Sequence, residues 1–250
     1  MGTVTVFGIV IPGIILIGVF GMTLWALTDL SKPASASEET IAIVGHQWWW
    51  EVNYNDRDFT TANEIHIPVG KPVQLTLTSN DVIHSFWVPQ LSDKIDMIPG
   101  HTNTLWIQAD RAGEYRGQCA EFCGAQHAQM AFVVIADSPD AYDGWIAQQQ
   151  QAAPDPSNPQ LEKGQQAFFS AACMYCHRIE GTSASGTVGP DLTHLGSRNY
   201  IGAGTLKNTP GNLAGWITNS QSIKPNNQMP NFFLAPDQLQ AIIAYLESLK

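Results

Sequence analysis

A chain of 250 residues has room for one large domain or two modest ones beside any membrane segment. Its formal net charge of −10 sits entirely in residues 1–154, whereas residues 155–250 hold 6 acidic and 6 basic side chains. An acidic surface of this kind disfavours nucleic acid and suits a basic protein partner, although a merely solvated surface has the same composition.

The first element is apolar. Residues 4–27, VTVFGIVIPGIILIGVFGMTLWAL, carry no charge, and as a helix they reach about 36 Å against a hydrocarbon core of about 30 Å. This predicts one transmembrane helix within residues 1–30, with membrane lipid around it. Ala34-Ser35-Ala36 invites the alternative of a cleaved leader, but the start MGTV has no basic region and the apolar run is long for one. Asp29 and Lys32 alone flank the helix, too little charge to orient it.

After the polar stretch SKPASASEE, "TIAIVGHQWWWEVNY" begins with alternating apolar residues, and "KPVQLTLTSN" sets Val73, Leu75 and Leu77 on one face against Gln74, Thr76 and Thr78 on the other. Further alternating segments separated by turn signals make residues 40–137 a small β-sandwich or barrel. Ser138 as N-cap and Pro139 at the first position open a helix, and three prolines in AAPDPSNP make a semi-extended linker, so residues 138–159 join two domains. Residues 160–250 then read as a small all-α domain, closed by a helix with Leu239, Ile242, Ile243 and Leu246 at helical spacing.

The four cysteines form two close pairs, each followed within four residues by a histidine, so cofactors compete with disulfides. Cys173-Met174-Tyr175-Cys176-His177 is the C-x-x-C-H signature of c-type haem, in which two thiols add to the vinyls and the histidine reaches the iron. A redox or zinc C-x-x-C shares part of the pattern. Met229, 52 residues past His177 and the only methionine after the motif, is the candidate second axial ligand; an ordinary core methionine is its bland reading.

"GQCAEFCGAQHAQM" offers Cys119, Cys123, His127 and Met130, a soft donor set suited to copper or zinc. Zinc rarely takes methionine, and a mononuclear blue-copper site uses one cysteine; two thiolates can bridge two coppers if a further histidine is supplied. His46, His66, His84 and His101 are the candidates in the β domain.

Residues 160–250 resemble class I cytochrome c, with Gly164, Phe168 and Tyr245 at its crossed terminal helices and Pro190 as the carbonyl that orients His177. His194 in the same loop is read as a surface or loop residue, since Met229 fills the sixth position. The pattern C-x-E-x-C-G-x-x-H-x-x-M, with "SNDVIHSFWVP" upstream, resembles the cupredoxin-like CuA domain of cytochrome c oxidase subunit II. That resemblance implies His84 as the second histidine, the Glu121 carbonyl and Met130 as weak ligands, a magnesium ion on the Glu121 side chain at the junction with subunit I, and Trp48 as the electron-accepting position. It gives no ligand role to His46, His66 or His101. The apolar segment resembles the second of that family's two membrane helices, with Pro12 in the expected place. Neither the first helix nor the carboxylate often found just before the second has a counterpart here, so a proton-uptake role is unsupported.

The two modules together resemble the caa3-type oxidase, whose subunit II carries a fused cytochrome c. The resemblance implies an electron-transfer subunit of a haem-copper oxidase, passing electrons from haem c to CuA and on to haem in subunit I. The donor is a cytochrome c or a neighbouring respiratory complex, and other oxidase subunits are partners. Haem attachment of this type places the domains on the periplasmic or outer face of a prokaryotic plasma membrane, with the N-terminus cytoplasmic. Seven histidines, three of them committed to the two sites, are too few for oxygen reduction by this chain itself. Nitrous oxide reductase, with its histidine-rich tetracopper domain, does not fit in this length. A free membrane-anchored carrier is the remaining alternative.

Overall fold

The computed structural model describes residues 2–30 and 39–250. The stretch 31–38, with Ala34-Ser35-Ala36, lies outside the described residues. The chain falls into two compact units, Met1–Ala36 and Ser37–Lys250.

In the first unit α1 (Gly2–Thr5), a π-helical turn at Val6–Val10 and α2 (Ile11–Leu30) run on as one apolar helix. Its span Gly2–Asp29 has a mean hydropathy of 2.5 over its best window, long and apolar enough to cross a membrane. Pro12 has no N–H to give to the carbonyl four residues back, and its ring crowds that turn. The ladder widens there, with the Ile11 N–H bonding Val6 five residues back.

The second unit begins as two five-stranded sheets. One has the order β3-β2-β1-β5-β8, from β1 (Thr40–His46), β2 (Trp49–Tyr54), β3 (Phe59–Ala62), β5 (Val73–Ser79) and β8 (Asn103–Ile107). The other has the order β4-β10-β9-β6-β7, from β4 (Glu64–Pro68), β6 (His84–Trp87), β7 (Ile95–Met97), β9 (Gly113–Cys119) and β10 (Ala131–Asp137). The alternation in β5 is realised, with Val73, Leu75 and Leu77 fully buried, each worth about 1.5–3 kcal/mol in transfer from water. They meet Ile65, Ile67, Phe86, Phe132 and Val134 from the other sheet in one core.

The aromatic run 48–50 is not a single strand. His46 pairs with Trp49 across an antiparallel hairpin, so Gln47 and Trp48 form its two-residue turn. Trp50 faces the core, edge-on to Phe86 and Phe132, while Trp48 leaves the ladder and stays half-buried.

Helix α3 (Pro139–Gln149) starts after Ser138 with Pro139 in its first turn, but the Ser138 side chain makes no capping hydrogen bond. The helix is held instead by packing: Trp145 stacks on His66 at 3.9 Å, and His66 Nδ1 lies 2.6 Å from Asp137.

Helices α4 (Pro159–Ser170), α5 (Pro210–Ile223) and α6 (Pro236–Ser248) follow. The sequence suggested helices alone, yet a small hairpin, β11 (Tyr200–Ile201) with β12 (Leu206–Lys207), stands between them. Gly202, Ala203 and Gly204 all have positive φ and turn the chain at its tip. Helices α4 and α6 cross at Gly164, where an added Cβ would run into the Ala241 carbonyl and the Tyr245 Cβ. Phe168 then meets Tyr245 with ring centroids 6.2 Å apart.

Gly164→Val should therefore force α4 and α6 apart at a cost of about 2 kcal/mol or more. The expected result is a fall of about 10 °C in the melting of the helical domain, followed by thermal denaturation of the haem absorption; an unchanged melting curve would contradict the close crossing.

Candidate metal centre and haem cavity

The loop between β9 and β10 gathers its donors against the first residue of β6. Cys119 ends β9 and lies with its Sγ 3.7 Å from Cys123 Sγ, 3.3 Å from the Glu121 carbonyl and 3.9 Å from His84 Nδ1. Cys123 Sγ in turn stands 3.7 Å from His127 Nδ1 and 3.8 Å from Met130 Sδ. The six groups singled out in the sequence thus gather around the two thiols, and His84, Cys119 and Cys123 are close enough to share a metal. Thiols, imidazoles and a thioether fit soft copper far better than a hard cation.

Local structure dictates this geometry. His84 is fully buried, and its Nε2 meets Asp81 Oδ1 at 2.8 Å, which leaves Nδ1 facing the thiols. A Cβ on Gly45 would lie 2.8 Å from the His84 ring, so the bare glycine of β1 gives the imidazole its seat. Gly124 has φ +112°, and a side chain there would lie 3.0 Å from Trp48 Cζ2. Burial acts against a charged His84, yet the Asp81 carboxylate and the Cys119 thiol raise its pKa overall. The hydrogen bond from Cys123 holds the Cys119 thiol far below the ordinary range, and the same contact pushes Cys123 above it.

The second site is a cavity of ≈ 450 Å³ lined by Cys173, Cys176, His177 and Met229, with Phe168, Trp216 and Ile242 among its apolar walls. Its size suits a cofactor. All four cysteines are free. His177 Nδ1 donates to the Pro190 carbonyl at 2.7 Å, which turns Nε2 toward the cavity. Burial lowers the His177 pKa, partly offset by that carbonyl, which favours the neutral ring a ligand needs. A Cβ on Gly189 would sit 2.6 Å from His177 Cε1, and one on Gly186 2.6 Å from the Cys176 backbone; glycines let this loop wrap the motif. Across the cavity, Met229 is fixed by its backbone: Asn227 accepts its N–H at 2.8 Å, and its carbonyl receives Ser220 Oγ at 2.7 Å.

The cavity is closed by both domains. Gln47, Trp48 and Trp49 of the β domain form part of its wall, and Trp48 Nε1 donates to the Cys123 carbonyl at 3.0 Å. One tryptophan thus borders the haem cavity and the copper loop. Hydrogen bonds hold the two domains in this pose. Glu64 Oε1 accepts the N–H groups of Asn199 (2.7 Å) and Tyr200 (3.0 Å), and Glu114 accepts from both side chains. Arg198 reaches Thr61, and the Ala131 N–H bonds the Ala203 carbonyl at 3.1 Å. Burial raises the Glu64 pKa against the opposing charge of Arg198.

Of the histidines without an expected metal role, His46 stacks on Trp49 and His66 on Trp145, and His101 is exposed. His194 is a loop residue, as expected, but a buried one, 4% exposed with an Nε2 that has no partner among the described residues; Arg198 holds the same loop through the Asp191 carbonyl. Sequence reasoning missed Asp81, Gln47 and Glu64. Asp81 had a weak signal in its spacing of three before His84, whereas Gln47 and Glu64 depend on contacts with distant residues.

Residues 57–137 match the family described as cytochrome C oxidase subunit II, periplasmic domain, and residues 161–250 match cytochrome c. The chain is 39% identical to cytochrome c oxidase subunit 2 of Alkalihalophilus pseudofirmus, over 96% of this chain and 71% of that one. It is 31% identical to the same subunit of Bacillus sp. strain PS3, over 92% of this chain and 68% of that one. The crystal structure of the periplasmic domain of subunit II of cytochrome oxidase of Bradyrhizobium japonicum overlaps 47% of this chain and 97% of its own, at 30% identity and a TM-score of 0.46. The chain belongs to the cytochrome c oxidase subunit II family, and it carries a cytochrome c domain in the same polypeptide.

Proposed function

We propose that Cys173, Cys176, His177 and Met229 hold a covalent haem c, and that His84, Cys119, Cys123, His127, Met130 and the Glu121 carbonyl hold a binuclear CuA centre. As the electron-transfer subunit of a haem-copper oxidase, the chain takes electrons at haem c and hands them, by way of CuA, to the haem of subunit I for oxygen reduction. The observation that carries this direction is Trp48, which borders the haem cavity and hydrogen-bonds the Cys123 carbonyl.

The remaining work belongs to the protein's own residues. Asp81 fixes the His84 tautomer, Pro190 fixes that of His177, and the loop anchored by Ser220 and Asn227 presents the Met229 thioether. The apolar walls exclude water and favour the less charged ferrous state, as does a thioether ligand. A rigid β scaffold keeps the copper donors in place through a change of charge. The Glu121 side chain is half-buried and offers one carboxylate to a magnesium ion whose other ligands come from subunit I. The chain is membrane-anchored, with both domains on the periplasmic or outer face of a prokaryotic cell membrane. Its donor is a cytochrome c or a neighbouring respiratory complex. A free carrier is disfavoured by the kinship with oxidase subunits along most of the chain.

Cys123→Ser should abolish the mixed-valence copper resonance in electron paramagnetic spectra and leave the haem spectrum intact; loss of both together would contradict two separate sites. Because contact with Cys119 and burial hold the Cys123 thiol above the ordinary range, loading copper at neutral pH should release protons from the site, and copper affinity should fall as pH falls. A pH-indicator titration checks this, with the absence of proton release contradicting a protonated thiol at the metal-free site. Met229→Ala should turn the iron high-spin and lower the haem potential, read by optical redox titration; an unchanged spectrum would mean that another residue is the sixth ligand.

A further inference from the structure

Between the haem cavity and the copper loop lies a buried cation that forms no ion pair among the described residues. Lys224 is 2% exposed, and its ammonium donates to the carbonyls of Gly202 at 3.1 Å and Trp48 at 3.4 Å. Burial lowers its pKa to about 8. An ammonium taken out of water is expensive unless it is fully bonded, so a lysine here needs a reason in the structure.

The surrounding bonds supply one. Five residues past Lys224 comes Met229, and the loop between them is tied to the β domain at two further points. Gln228 Nε2 donates to the Gln47 carbonyl at 3.0 Å, and Gln126 of the copper loop donates to the Pro225 carbonyl. On the far side, Gln47 Nε2 and Trp48 Nε1 both donate to the Cys123 carbonyl, at 2.7 and 3.0 Å. Segment 224–229 is thus a strap from the wall of the haem cavity to the copper loop, with Lys224 as its charged and deepest bond.

We propose that Lys224 is a positioning residue for electron transfer between the two sites: its ammonium clamps the Met229 loop onto the Trp48 carbonyl and so fixes the haem cavity against the copper loop. The inference rests on the assignment of haem c and CuA given above. The covalent linker cannot do this alone, because a tether raises the encounter frequency of two domains without setting their orientation. A charged donor to two carbonyls does set it, and such bonds are stronger than neutral ones.

The test uses the chain with haem and copper loaded. An electron is placed on the haem by flash photoreduction, and its oxidation is followed as the copper centre is reduced. Lys224→Met, which keeps the aliphatic stem, should slow this transfer about tenfold with haem and copper spectra unchanged. It should also speed amide exchange at Ala131, Asn199 and Tyr200, whose N–H groups bond across the interface. Lys224→Arg, which keeps the charge and donors, should restore most of the rate. A Lys224→Met protein with the original rate and exchange overturns the proposal. Should that variant lose either spectrum, Gln228→Ala, altered at an exposed side chain, decides: about threefold slower transfer supports the strap and an unchanged rate overturns it. Absence of haem-to-copper transfer in the unaltered protein would instead refute the two-site reading itself.

Discussion

The Gln47 amide and the Trp48 indole converge on the carbonyl of Cys123, at 2.7 and 3.0 Å, and both redox sites lean on that point. Cys123 is a proposed copper donor, Trp48 is part of the wall of the proposed haem cavity, and the two residues belong to loops 75 positions apart in the chain. The join depends on a hairpin turn that lifts Trp48 out of its strand and on a glycine at 124 whose φ of +112° few other residues tolerate. A bulkier residue there would displace the indole and with it the contact between the two sites.

Around this point the protein spends polar groups where it needs orientation and apolar ones where it needs dryness. Each histidine assigned to a metal by a short motif has its other ring nitrogen engaged where the structure shows a partner: Asp81 for His84, the Pro190 carbonyl for His177. Such outer contacts fix tautomer and ring angle before any metal arrives. The core of two stacked sheets supplies the rigidity: Trp50 lies against His84, and Phe86 and Phe132 pack edge-on against Trp50.

The donors were legible in the sequence because they are clustered: Cys119, Glu121, Cys123, His127 and Met130 lie on one loop, and Cys173, Cys176 and His177 on one turn. Alternation in β5 and helical spacing in α6 were equally local signals. What the sequence did not disclose was how the domains meet. Glu64 finds Asn199 from 135 positions away, Lys224 finds Trp48 from 176, and no periodicity records either pairing. His194 reads as a polar loop residue, yet it is buried in a loop that Arg198 holds through the Asp191 carbonyl. The hairpin β11–β12 itself was missed because two-residue strands carry too little pattern to register.

The central claim is that the cytochrome domain is held in one fixed pose on the copper domain. The most direct measurement is the distance distribution between the two oxidised, paramagnetic centres in the intact subunit, from pulsed electron paramagnetic resonance. The docked interface predicts a single narrow distance that does not change with viscosity or salt; a broad distribution would show a tethered domain that swings, and would contradict the account.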